Sequence, residues 1–421
     1  MINKIDALIR FFLYVLVFWL PYAPAVIESC VITAFVLWVI KRGTRAWRTK
    51  QYVRAFKPAA SPLNIPIAVF LFITFLSAAG SGFPEQSLRG LITKTLEWFV
   101  IYFLVLEVFT ERKHFRIFLG IFLFTSAAVV LDGFVQFYIT GKDIFSGYLV
   151  SDERVTASFK HANHLAGYLL YVLPLLYVFF SDKNVRRNWQ RTAFVVFFLL
   201  SVWMLFVTFS RGAWVGFIAG TLFFLFFAHR KYFLPVLAVL IVLGAGIFAL
   251  SSGPMKKGIR LDAEAVQGTA AWRIGLWEDT AKMIADRPLF GHGPNMYMRV
   301  FQEYRRKLGG QFEYDPTYAH NCFLQMTAEV GVLGLLAFLW ILYKLFKEIL
   351  IVIRNNGLPE QEKRLLLGLL AGTFGFLVHS SLDTNFYTLQ LSAYFWVMTG
   401  AMIALDKSLK APAIHAIKKD S

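Results

Sequence analysis

Charge is scarce in this chain and cysteine nearly absent. Only 16% of the 421 residues are Asp, Glu, Lys or Arg, whereas soluble domains average about a quarter, so a soluble globular class is a poor fit. Two cysteines, Cys30 and Cys322, lie in or beside apolar segments, so no disulfide framework is expected. The sequence has no glycine-rich nucleotide loop and no Cys/His metal spacing. It also lacks a carboxylate pair in the connecting loops of the kind that holds a divalent ion; Asp152 and Glu153 are adjacent, but their neighbours do not suggest a cage. Neither metal nor cofactor is therefore expected. Internal repeats and low-complexity tracts are missing as well.

Apolar sequence takes their place, with 57% of residues hydrophobic and 44 of them Phe. Runs of about 18 or more apolar residues recur, each long enough to cross a hydrocarbon core of ~30 Å. Lipid offers the backbone no hydrogen-bond partner, so such runs are helical. The expected class is an all-α polytopic membrane protein of about twelve transmembrane helices. Their expected positions are 5–21, 24–41, 63–80, 92–110, 115–138, 162–181, 191–210, 212–229, 232–251, 319–345, 362–381 and 385–406. The first run has no convincing small-residue cleavage site and reads as a retained helix.

The formal net charge of +17 fits a membrane topology better than a nucleic-acid partner, because cytoplasmic loops collect Lys and Arg. With the N-terminus inside, one face carries Lys41 to Lys57, then Arg112, Lys113 and Arg116, then Lys183, Arg186, Arg187 and Arg191, then Arg230 and Lys231. Lys344, Lys347, Arg354, Lys363, Arg364 and the tail lysines follow on the same face. Loops 80–91 and 381–385 on the other face are nearly free of Lys and Arg. The alternation never breaks. The expected organisation is nine membrane helices over 1–251, a long outer-face loop over 252–318, three more helices over 319–406 and a cytoplasmic tail over 407–421.

At about 65 residues, the 252–318 loop is far longer than an ordinary connector. Three- and four-residue apolar spacing predicts a helix over 269–285, closed by Pro288 and followed by the Gly/Pro turn PLFGHGPNMY. Patterned loops of this size tend to carry function.

Several stretches bear charge at the membrane edge. In FSRGAWVG, Ser210 and Arg211 sit between two helices with no room for a loop; Arg211 either faces an anion in a polar cavity or snorkels to the interface. In the loop helix, Arg273 could grip a phosphate in bidentate fashion or pair with Glu278 or Asp279, while Trp272 and Trp277 could rest at the membrane interface. Gly291 and Gly293 would let backbone N–H groups converge on an anion, with His292 between them read as an exposed loop residue. In YAHNCFLQMTAEVGVLG, His320 falls where the loop re-enters the membrane. Imidazole, with an ordinary pKa of about 6.5, is the natural proton acceptor there, although a helix-start histidine holding a backbone hydrogen bond is the competing reading. Asn321 follows it, and Gln325 and Glu329 lie four apart on one helical face, Glu329 needing a buried partner. In KHANHLAGYLL, Asn163 opens a helix either as an ordinary cap or as part of an anion site. His379 and Asp383 of HSSLD could line the same mouth.

In combination, SRGAWVG at 210–216, WRIGLWEDTAKMIADRPLFGHGPNMY at 272–297 and AHNCFLQMTAEVGVLGLLAFL at 319–339, with SFKHANHLAGYLL and HSSLD, resemble the O-antigen ligase / O-antigen polymerase superfamily of bacterial membrane glycosyltransferases. The resemblance covers the C-terminal two-thirds of the chain; the first 150 residues agree in hydropathy only. It implies a metal-independent, GT-C-like fold in the bacterial inner membrane, with a large periplasmic loop over a cavity. The family histidine matches His320, which would deprotonate an acceptor hydroxyl. The family arginines match Arg211 and Arg273, which would bind the diphosphate of an undecaprenyl-diphosphate-linked glycan donor. Glu329, Gln325, Asn321, Ser210, Asn163, Gly291, Gly293 and His379 are the supporting residues. The leading expectation is an O-antigen ligase that transfers glycan to the lipid A-core with inversion. A polymerase or a protein O-oligosaccharyltransferase would differ only in acceptor; the end of this chain after its last helix disfavours the latter. A solute or anion transporter is the alternative of another class, and it would need a polar path through the midplane.

Overall fold

The computed structural model describes residues 2–150, 153–181, 188–251, 263–308, 311–312, 318–355 and 358–417. They form α1 (Ile2–Trp19), α2 (Pro24–Thr49), α3 (Tyr52–Phe56), α4 (Asn64–Ala79), α5 (Pro84–Gly90), α6 (Leu96–Val108), α7 (Arg112–Val135), α8 (Ala162–Ser181), α9 (Asn188–Val207), α10 (Arg211–Ala228) and α11 (Arg230–Ser251). After these come α12 (Ala263–Asp286), α13 (Tyr297–Tyr304), a two-stranded antiparallel hairpin of β1 (Lys307–Leu308) and β2 (Gln311–Phe312), α14 (Cys322–Arg354), α15 (Glu360–Ser380) and α16 (Leu389–Ile417). The expected positions 252–262 and 313–317 of the long loop, Asp152 and Lys183, Arg186 and Arg187 lie outside the described residues, as do residues 418–421 of the tail.

Helix occupies each of the twelve segments expected to be apolar spans. By length and composition, five helices among the described residues can cross a membrane: Pro24–Thr49, Arg112–Thr140, Ala162–Phe179, Trp189–Val207 and Arg211–Ala228. α1 is as long, but Lys4, Asp6 and Arg10 stand in its first half. The fold is thus an all-α assembly of a multi-pass membrane type, with one short hairpin among the described residues, in the α13–α14 connection.

α2 runs past its expected end. Lys41 and Arg42, expected in a basic loop, are buried in it. Lys41 Nζ binds Asp6 at 2.6 Å and Glu107 at 2.7 Å, and Arg42 binds the other Glu107 oxygen at 2.5 Å. Buried charges persist only when paired this closely, so these three helix ends are locked together.

Two packing features position the site. α10 lies against α15 along small residues: a Cβ on Gly216 would meet the Gly375 carbonyl oxygen at 2.5 Å, and one on Gly220 would meet that of Ala371 at 2.8 Å. Helices in lipid approach this closely only where side chains are absent. Arg211 is thereby brought beside the residues that follow α15. The second feature is a break in α14 at Gly331, whose φ of 74° and ψ of 176° are not helical. The 288–293 segment docks into that break, where a Cβ on Gly331 would lie 2.0 Å from the Leu289 oxygen. α12 and α13 then bury Leu276, Met283, Tyr297 and Phe301 against Ala319 and Ala328, a small core of their own beside the main helix bundle.

Candidate active site

The turn between α9 and α10 is only three residues long. Phe209 takes a left-handed conformation at φ 50°, and Ser210 precedes the first turn of α10, its hydroxyl 3.4 Å from His379 Nε2. Asn385 Nδ2 donates to His379 Nδ1 at 3.0 Å, so the buried imidazole is held from both sides. Arg211, at the first position of α10, is exposed and has no hydrogen-bond or ion-pair partner among the described residues.

Arg273 reaches across from α12. Its Nη1 donates to the Leu382 oxygen at 2.7 Å and its Nη2 lies 4.0 Å from Asp383 Oδ2. Burial lowers its pKa from the ordinary value, Asp383 opposes that, and the nearby Arg211 charge adds to it. The alternative partners considered from sequence belong to another residue: Arg306 binds Glu278 at 2.7 Å and Asp279 at 3.2 Å. Trp272 and Trp277 pack inward, against expectation. Trp272 lies 5.3 Å from the His320 ring, and Trp277 Nε1 donates to the Ala319 oxygen at 2.9 Å.

His320 itself has a φ of 47°, a conformation uncommon outside glycine. It directly precedes Asn321, whose side chain accepts from the Phe323 and Leu324 amides at 3.0 and 3.1 Å and so caps α14. His320 Nδ1 lies 3.3 Å from Asp383 Oδ1. An ionised carboxylate has no hydrogen to give, which assigns the proton to Nδ1 and leaves Nε2 as the basic nitrogen. Among the described residues Nε2 meets no partner. The competing reading, a backbone-bonded helix-start histidine, does not describe this contact.

Asp383 is the hub. Besides His320 and Arg273 it accepts from the Asn163 side-chain amide and from its neighbour, the Thr384 amide, at 2.8 Å. Burial works to raise its pKa, but the His320 hydrogen bond and the charges of His379 and His320 hold it well below the usual carboxylate range. Asn163, weighed as a simple cap, instead bridges Asp383 to Arg154, whose Nη2 donates to it at 2.6 Å. Arg154 is also tied to the Thr208 oxygen at 2.7 Å. In sequence, Arg154 is marked only as a basic residue preceding KHANHLAGYLL and is not among the expected site residues.

Two cavities meet at this hub. One of about 480 Å³ has Arg154, Arg211 and Arg273 in its wall with Ser210, His379 and Asp383. The other, of about 380 Å³, is walled by His161, His164, His320 and Tyr387 and shares Arg154, Asn163 and Asp383 with the first. Three guanidinium groups line the first cavity beside Asp383, which is an environment for an anion.

Some supporting residues stand elsewhere. The Gly293 amide donates to the Glu329 oxygen at 2.8 Å, the His292 amide to Ala328 at 3.0 Å and the Gly291 amide to Arg287 at 3.0 Å. Those N–H groups are satisfied by carbonyls and do not converge on an anion. The glycines serve close packing, since a Cβ on Gly291 would lie 2.5 Å from the Glu329 backbone. His292 is buried, its Nε2 2.9 Å from the Met283 oxygen, and burial lowers its pKa; it is not an exposed loop residue. Glu329 finds its partners in backbone amides, accepting from Asn295 at 2.9 Å and Tyr297 at 3.2 Å. Gln325 lies 3.5 Å from Glu329 and accepts from the Ala319 amide at 3.4 Å.

The architecture and this cluster define a helical membrane protein with a cationic pocket beside a carboxylate-braced histidine. Residues 195–339, about a third of the chain, match the sequence profile of the family described as O-antigen ligase. A candidate polysaccharide ligase of Rickettsia felis is 27% identical over 236 residues, 53% of this chain and 54% of that protein. A second, from Rickettsia conorii, is 26% identical over 167 residues, 38% of this chain and 41% of its own length. The chain therefore spans about half the length of the curated relatives it matches. Over these residues the chain is similar to the O-antigen ligase family and to proteins described as polysaccharide ligases.

Proposed function

We propose that this protein is an O-antigen ligase: a metal-independent, inverting glycosyltransferase that moves a glycan from undecaprenyl diphosphate to the lipid A-core oligosaccharide. The observation that carries the reading is the pairing of the two cavities, one lined by three arginines and the other by a histidine whose Nε2 has no hydrogen-bond partner among the described residues. In this reading the helices cross the bacterial inner membrane about twelve times in a GT-C-like arrangement, both termini are cytoplasmic, and 252–318 is a periplasmic loop carrying Arg273 over the site.

Arg211 and Arg273, joined by Arg154, hold the donor diphosphate and stabilise the charge that builds on it as the bond to the sugar anomeric carbon breaks. Undecaprenyl diphosphate leaves. The acceptor hydroxyl attacks that carbon from the opposite side and gives its proton to His320 Nε2. Asp383 fixes the ring's tautomer and balances the imidazolium. Asn163 and Ser210–His379 keep Asp383 and the α9–α10 turn in place.

The test is the lipopolysaccharide of a deletion strain carrying wild-type protein or His320→Ala. Bare core, long glycan retained on undecaprenyl diphosphate and no rescue by His320→Ala is the expected result. Core bearing a single repeat unit would make the protein a polymerase, and an unchanged ladder would sink both readings.

A further inference from the structure

A third cavity, of about 130 Å³, lies between α4, α6 and α14. On that measure one water needs about 10–15 Å³, so the space suits something the size of a sugar ring. Tyr318, Tyr387 and Thr388 belong to both this cavity and the His320 cavity. The two tyrosine rings stand 6.2 Å apart on that boundary. His320 is thus flanked, with the arginines on one side and this chamber on the other.

The chemistry of the two chambers is opposite. The arginine chamber offers donors. This one offers an acceptor, Glu97, with Lys94 the cation among its described lining residues, set against Trp98 and Phe386. Glu97 Oε1 is buried without a hydrogen-bond partner, a costly arrangement unless a ligand supplies the donor. An unpartnered carboxyl oxygen accepts from hydroxyl groups, and aromatic walls pack on the apolar face of a sugar ring. The 294–297 segment and Glu329, joined through the Asn295 amide, set the floor.

We infer that this chamber is the acceptor subsite, holding a sugar residue by its hydroxyl groups through Glu97 and against Trp98, so that one hydroxyl extends past Tyr318 and Tyr387 to His320. The inference rests on the glycosyl-transfer reading above and gives it a direction: donor from the arginine side, acceptor from the α4–α6 side. It also gives the first 150 residues, which the family profile does not cover, a share in choosing the substrate.

The experiment uses full-length protein in nanodiscs, with an undecaprenyl-diphosphate-linked glycan as donor and lipid A-core as acceptor, each titrated in turn. Glu97→Gln keeps the side-chain shape and removes its charge. It is expected to raise the acceptor KM roughly tenfold, the loss of one charge-assisted hydrogen bond, with the donor KM unchanged. Arg211→Ala is expected to do the reverse. Trp98→Phe, which keeps an aromatic wall, should raise the acceptor KM in the same sense. An unaltered acceptor KM in both variants, or a shift in the donor KM alone, overturns the assignment. Failure of the wild-type protein to glycosylate any acceptor removes the glycosyl-transfer reading itself, and this one with it.

Discussion

α12 carries two charged clusters that look alike in sequence and differ in kind. Toward its C-terminal half, Glu278, Asp279, Lys282 and the incoming Arg306 form a closed set: two acids, two bases and contacts of 2.7 to 3.2 Å. One turn earlier, Arg273 stands with Arg154, Arg211 and Asp383 in the wall of a cavity. The first cluster is neutral and saturated, so it holds α13 to α12. The second opens on a cavity of about 480 Å³, and Arg211 in its wall is exposed. A charged residue in a membrane-edge loop is therefore informative only once its partners are counted.

That contrast can be broken by substitution. Removing the base, His320→Ala, is expected to lower the transfer rate about 10²–10⁴-fold with little change in thermal stability, read by single-turnover assay of purified protein. Arg211→Ala and Arg273→Ala come next, each weakening donor use on the order of ten- to a hundredfold, with lysine restoring only part because it lacks the bidentate fork. Equal activity in either alanine variant would remove the diphosphate role. In the saturated cluster the signs reverse: Arg306→Ala exposes a fully buried Asp279 and should cost about 1–3 kcal/mol, less than a fully buried pair because Arg306 is partly exposed, with the donor KM preserved. Lys282→Ala touches an exposed ion pair and should cost about 0.5 kcal/mol or less.

The smallest expected effect concerns pH. Asp383 is held well below the usual carboxylate range, so its folded pKa lies below the unfolded value of about 3.9. Its contribution to stability is then complete above about pH 4 and is lost only as pH falls through the folded pKa. The difference in melting temperature between wild type and Asp383→Asn should not shrink between pH 7 and pH 5. A difference that shrinks by pH 5 would mean that the carboxylate is not held in this way.

Arg211, Arg273 and His320 were legible in the sequence because charge and imidazole at the end of an apolar run are rare enough to notice. Their assembly was not. His320 and Asp383 are 63 positions apart, Asn163 and Asp383 are 220 apart, and no local pattern encodes such a meeting. The glycines at 291 and 293 were misread for a related reason: a Gly-rich turn looks the same whether its amides face an anion or the carbonyls of a broken helix. Only the break at Gly331, invisible in hydropathy, distinguishes the two.

Composition and apolar periodicity by themselves determined that the chain is helical and of the membrane type, because a backbone in lipid has no other way to satisfy its hydrogen bonds. They also marked the patterned loop and the polar residues at its edges. Tertiary packing alone decided which of those residues share a cavity. The α10–α15 glycine contact and the docking of 288–293 into α14 set distances that side-chain electrostatics then read, and both depend on backbone approach between segments far apart in the chain.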